Sequence, residues 1–80
     1  MARFWETELA RPIWLHDGSW LGTIADCGRV LLQRFAEGEK GRELDGALKA
    51  LIGAAEAGRP EDVAFAERQV RLFFQVRALL

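Results

Sequence analysis

Within three residues, from Ile24 to Asp26, the apolar period of this chain changes from two to about 3.6 and does not change back. The change fixes the order of the fold as an extended amino-terminal quarter followed only by helices. In the extended part, Pro12-Ile13-Trp14-Leu15-His16 and Ser19-Trp20-Leu21-Gly22-Thr23-Ile24 flank the dipeptide Asp17-Gly18. Asp-Gly between alternating apolar runs is a strong hairpin signal, because a two-residue type I′ turn needs positive φ at both central positions. Counting outward from such a turn sets His16 opposite Ser19, Leu15 opposite Trp20, Trp14 opposite Leu21 and Ile13 opposite Gly22. Ile13, Leu15, Trp20 and Ile24 then share the core face, while Trp14 and Leu21 share the outer one. Residues 4–9 could supply a third strand, although the Arg11-Pro12 break leaves its pairing open. Such a hairpin is barely stable alone and has to lean on helices.

Asp26 is the expected N-cap of a first helix over 26–37, whose face carries Val30, Leu31 and Phe35 and which Gly38 stops. Glu39-Lys40-Gly41 reads as the linker. A second helix over 42–57 has the cleanest periodicity, with Leu44, Leu48, Leu51, Ile52 and Ala55 on one stripe. Gly58 closes it, and Pro60 opens a third helix over 60–79 with Glu61 and Asp62 complementing the dipole of its first turn.

At about 100° per residue the third helix is apolar on two sides. Val63, Ala66, Val70, Phe73 and Phe74 gather on one; Phe65, Leu72, Val76 and Leu79 gather nearly opposite. A helix apolar on two sides is normally buried on two sides. The alternatives are a helix sandwiched between the hairpin and the second helix, or one whose second face meets another subunit. The second helix has a matching oddity: Gly46, Ala50, Gly53 and Ala57 line up opposite its leucines. Mid-helix glycine costs about 1 kcal/mol relative to alanine. A row of small residues is either a solvent face or a site of close helix approach, to the third helix or to a second copy. The candidate interface residues are therefore Trp14, Leu21, Phe65, Leu72, Val76, Leu79, Gly46, Ala50 and Gly53.

Chemistry is harder to find. The chain has one histidine and one cysteine. His16 stands at the hairpin turn with no second histidine or cysteine near it in sequence. Cys27 stands at the start of a helix, where the dipole could activate it, yet free cysteine is more often a small buried residue. Asp17 and Asp26 read as turn and cap residues rather than a carboxylate pair. No metal-ligand spacing, dinucleotide fingerprint or phosphate loop occurs, so no metal or cofactor is expected. Eleven Lys and Arg against 12 Asp and Glu leave no basic surplus for nucleic acid. Glu67 and Arg71, four apart, read as a surface pair worth a few tenths of a kcal/mol. No apolar block is long enough to span a membrane, and the lone thiol suits a reducing cytoplasm.

The chain also resembles the small bacterial proteins of the domain of unknown function 982 family, from Pro12 to about Phe74. The resemblance rests on Pro12-Ile13-x-Leu15, on Gly22-Thr23-Ile24 leading into a helix, and on Leu31-Leu32 with an aromatic at Phe35. It continues through Lys40-Gly41, Ala47-Leu48, Gly58 and Pro60-Glu61. Where family members often carry Trp-Pro, this chain has Phe35-Ala36. The resemblance implies a compact α+β fold and brings no catalytic residues.

The expectation is a single α+β domain over 1–80, a small antiparallel hairpin or three-stranded sheet (within 1–24) packed against three helices. The functional expectation is a non-enzymatic protein-interaction or assembly module acting as a homodimer, or else with another protein as partner. The alternative is a small-molecule-binding or accessory enzyme subunit with a pocket between hairpin and helices. A nucleic-acid-binding regulator is the remaining reading.

Overall fold

The computed structural model describes residues 4–35 and 42–80. In chain order the elements are strands β1 (Glu8–Trp14) and β2 (Trp20–Thr23), then helices α1 (Ile24–Arg34), α2 (Arg42–Ala57) and α3 (Pro60–Val76). The strands form a two-stranded antiparallel sheet. α2 and α3 make the largest contact, with β1 against α3 and β2 against α1. The core between them is one cluster that includes Ile13, Ile24, Leu31, Leu51, Val70 and Phe74.

The hairpin turn differs from the two-residue expectation by one residue. Leu15 N–H donates to the Ser19 carbonyl at 2.9 Å and Gly18 N–H donates to the Leu15 carbonyl at 3.0 Å. The loop is therefore His16-Asp17-Gly18, with Gly18 in the left-handed region at φ 91°, the three-residue hairpin form in which glycine takes the αL position. Trp14 consequently faces Trp20, and Ile13 faces Leu21. Because side chains alternate with period two, that slip exchanges the faces of the second strand. Leu21 is 3 % exposed and belongs to the core, whereas Trp20 is 51 % exposed on the outer face beside Trp14.

Residues 4–7 form no third strand. Phe4 N–H donates to the Ala55 carbonyl and Ala25 N–H donates to that of Trp5, which lays the segment across α1 and α2. The Phe4 ring covers Gly58, where φ is 68°. β1 is irregular: between the pairs Glu8–Thr23 and Ile13–Leu21 it advances five residues while β2 advances two. Pro12 falls in this irregular stretch, where a missing N–H breaks no ladder bond.

α1 starts two residues before the expected boundary. Thr23 is the N-cap: Asp26 N–H donates to its hydroxyl at 3.1 Å, and Thr23 N–H donates back to the Asp26 carboxylate at 3.2 Å. Asp26 is thus the N3 member of a capping box rather than the cap itself. The helix ends at Arg34; the expected Gly38 stop and the Glu39–Gly41 linker lie outside the described residues. α2 has the expected limits. α3 ends at Val76, three residues early, because Ala78 turns left-handed at φ 58°. Leu79 N–H then donates to the Phe74 carbonyl and Ala78 N–H to that of Gln75, the bond pair of a Schellman motif. Through this hook the Leu79 carbonyl accepts the His16 N–H at 2.8 Å.

Candidate interaction surface

α3 buries one of its two apolar sides and exposes the other. Val63, Ala66, Val70, Phe73 and Phe74 are in the core, while Phe65 is 48 %, Leu72 55 % and Val76 62 % exposed. The described chain does not sandwich this helix. Leu79, expected on the same free face, is instead partly buried against the core as part of the terminal hook. The Arg68 guanidinium lies 5.9 Å from the centre of the Phe65 ring, close enough for a cation–π contact.

The small-residue row of α2 lies next to this stripe. Gly46, Ala50, Gly53 and Ala57, with Lys49 on one side and Phe65 of α3 on the other, bound a shallow groove of about 380 Å³. A Cβ built on Gly46 or Gly53 would meet nothing within 4 Å. The chain's own helices therefore make no use of either missing side chain. Of the nine candidate residues, the structure brings Gly46, Ala50, Gly53 and Phe65 to one groove, with Leu72 and Val76 further along the same helix. Trp14 is exposed on the sheet, and Leu21 is removed from the set by its burial.

On the outer sheet face, the Trp14 and Trp20 rings stand edge-on with centroids 6.3 Å apart. A Cβ on Gly22 would fall within 2.4 Å of the Trp20 indole. Glycine there lets the indole lie flat on the backbone, which recovers part of the burial that the outward orientation forfeits. The segment 4–9 does not cover Trp14.

Spacing alone misreads one partly buried polar tie. Glu67 is buried; Arg71 Nε donates to its carboxylate at 3.0 Å, and Arg71 Nη2 donates to the carbonyls of Arg11 and Pro12 at 3.0 and 3.1 Å. The pair is thus no surface decoration: it fastens α3 to the irregular part of β1. Cys27 is a free, buried thiol. Burial, reinforced by the charges of Asp26 and Glu67, pushes it up to about 12, the opposite of what a nucleophile requires. His16 is exposed at the hairpin loop. Among the described residues no group of three or more His, Cys, Asp or Glu could hold a metal ion, and no helix is long and apolar enough to cross a membrane.

No protein-family model, curated protein or solved structure matches the chain.

Proposed function

We propose that this protein is an assembly module that pairs with a second copy of itself through the outer face of α3. The supporting observation is the stripe Phe65–Leu72–Val76, three large apolar side chains about half exposed on a helix whose opposite side is fully used. Eleven residues of helix separate its ends, about 16 Å. Antiparallel pairing about a two-fold axis brings Phe65 of each copy towards Val76 of the other and leaves Leu72 near the axis, the self-complementary arrangement that two-fold dimers require. A standard interface takes roughly 800 Å² from each partner, about a seventh of the 5212 Å² surface of this chain. The stripe and the adjoining groove on α2 lie on one side of the molecule and contribute together. Membership of the domain of unknown function 982 family and a cytoplasmic setting belong to the same proposal, and neither supplies a catalytic residue to weigh against it.

The buried Cys27 makes a direct test convenient, because a thiol introduced on the surface has no reactive competitor. Phe65→Cys, Leu72→Cys and Val76→Cys chains, mildly oxidised, are compared with Gln33→Cys on the exposed side of α1. At least one of the three α3 positions is expected to form a disulfide-linked dimer much faster than position 33. Equal, slow cross-linking at all four positions removes the pairing.

A further inference from the structure

A second concavity lies away from this face, between the start of β1 and the first turns of α3. Thr7, Glu8, Ala10, Pro60, Val63 and Ala64 bound a space of about 250 Å³. Its walls are almost wholly apolar. A dry cavity of about 150 Å³ already accommodates benzene, so the space suits one substituted ring. His16 and Cys27 are not among its lining residues. Of the residues that bound it, Glu8 is the one that carries a charge, and none is a lysine or arginine. The neighbouring Arg59 and Asp62 line the groove on α2 instead, where they pair with each other at 2.8 Å. Glu8 makes no ion pair among the described residues. The amino-terminal end of α3 contributes about half a positive charge, too little to reverse the sign.

We infer that this cavity binds a small primary amine with a compact apolar body, the ring seated against Ala10, Val63 and Ala64 and the ammonium held at the rim by Glu8. The site is separate from the α3 stripe and goes beyond the assembly role. The apolar walls select the body and the uncompensated carboxylate of Glu8 selects the charge: an anion of the same shape is repelled, and a neutral alcohol gains only the burial.

The test is an amide NMR titration of the full chain with benzylammonium, benzyl alcohol and benzoate as probes. Benzylammonium is expected to give saturable shifts centred on Thr7, Ala10, Val63 and Ala64, with weaker binding of the alcohol and none of benzoate. Glu8→Gln is expected to weaken benzylammonium roughly fivefold, what one unit-charge contact near 4 Å is worth in water. Ala64→Leu, which fills the space from a partly exposed position, is expected to abolish binding. The inference is overturned if benzylammonium gives no saturable shift, if benzoate binds as tightly, or if Ala64→Leu leaves the affinity unchanged.

Discussion

The guanidinium of Arg71 donates to the carbonyl oxygen of Pro12 at 3.1 Å, across 59 residues of chain. Where β1 advances too fast to pair regularly with β2, its carbonyls need another donor. Arg71 supplies it for Arg11 and Pro12, and Glu67 balances the charge from inside. Removing Arg71 alone strands a buried carboxylate. Arg71→Met is therefore expected to cost about 2 kcal/mol, below the range for fully buried pairs because the guanidinium keeps some solvent contact. Glu67→Gln combined with Arg71→Met is expected to cost less than Arg71→Met by itself. Urea unfolding of the two single variants and the double variant closes the cycle, and simple additivity would show that the two side chains act independently.

The hook at the end of α3 places a residue with a Cβ in the left-handed region, at Ala78. Alanine is strained there by about 1 kcal/mol relative to glycine. Ala78→Gly should raise the thermal midpoint by roughly 4–8 °C, the shift such an energy gives in a domain of this size. An unchanged or lowered midpoint would mean that the Schellman turn does not persist in solution.

How much of this was legible in the residues depends on the range of the contact that decides it. The helices over 42–57 and from Pro60, and the second apolar side of α3, follow from angular spacing alone, since they concern neighbours one or two turns apart. The faces of the second strand did not follow. Asp17-Gly18 fits a two-residue turn and a three-residue loop equally well, and one residue of difference sends Trp20 outwards and Leu21 inwards. The hydrogen bond from Ser19 N–H to the Asp17 carboxylate, at 2.8 Å, is the local feature of the longer loop, and it involves a residue beyond the Asp-Gly pair. The start of α1 was obscured by chemistry: Thr23 and Asp26 form a capping box with aspartate where glutamate is usual, so the carboxylate passes for the cap. The burial of Glu67 was beyond reach, because i,i+4 spacing says nothing about a strand sixty residues earlier in the chain.

Asp17 gives the fold an acid-sensitive corner. Hydrogen bonds from the Ser19 backbone and hydroxyl, together with Arg34, lower its carboxyl from 3.8 to about 2. A carboxyl whose folded value is depressed contributes stability above its unfolded value and loses it as pH falls through the folded one. The contribution of this group is thus complete above about pH 4 and lost towards pH 2. Asp17→Asn should flatten the dependence of stability on pH within that window and leave the slope above pH 5 unchanged. If wild type and variant fall in parallel below pH 4, the Asp17 network is not formed in solution.

Gly53 separates the stability of the single chain from that of the pair. With open space around its Cβ position, Gly53→Ala should stabilise the isolated fold by up to about 1 kcal/mol through helix propensity alone. Placed in a Leu72→Glu background, the substitution should raise the thermal midpoint. In the otherwise native chain it should weaken self-association, because the groove floor rises by a methyl group. Stabilisation with unchanged association would mean that the partner helix does not reach the floor.

The most direct measurement of the central claim is solution mass by light scattering over a dilution series, for the native chain and for Leu72→Glu. Leu72 is exposed, so the charge does not disturb the core. The pairing through α3 predicts a native mass of twice the chain at high concentration that falls towards one chain on dilution, and a Leu72→Glu variant that stays folded at the mass of one chain throughout. A native chain that remains a monomer up to millimolar concentration, or a Leu72→Glu variant that pairs as tightly as the native chain, would contradict it.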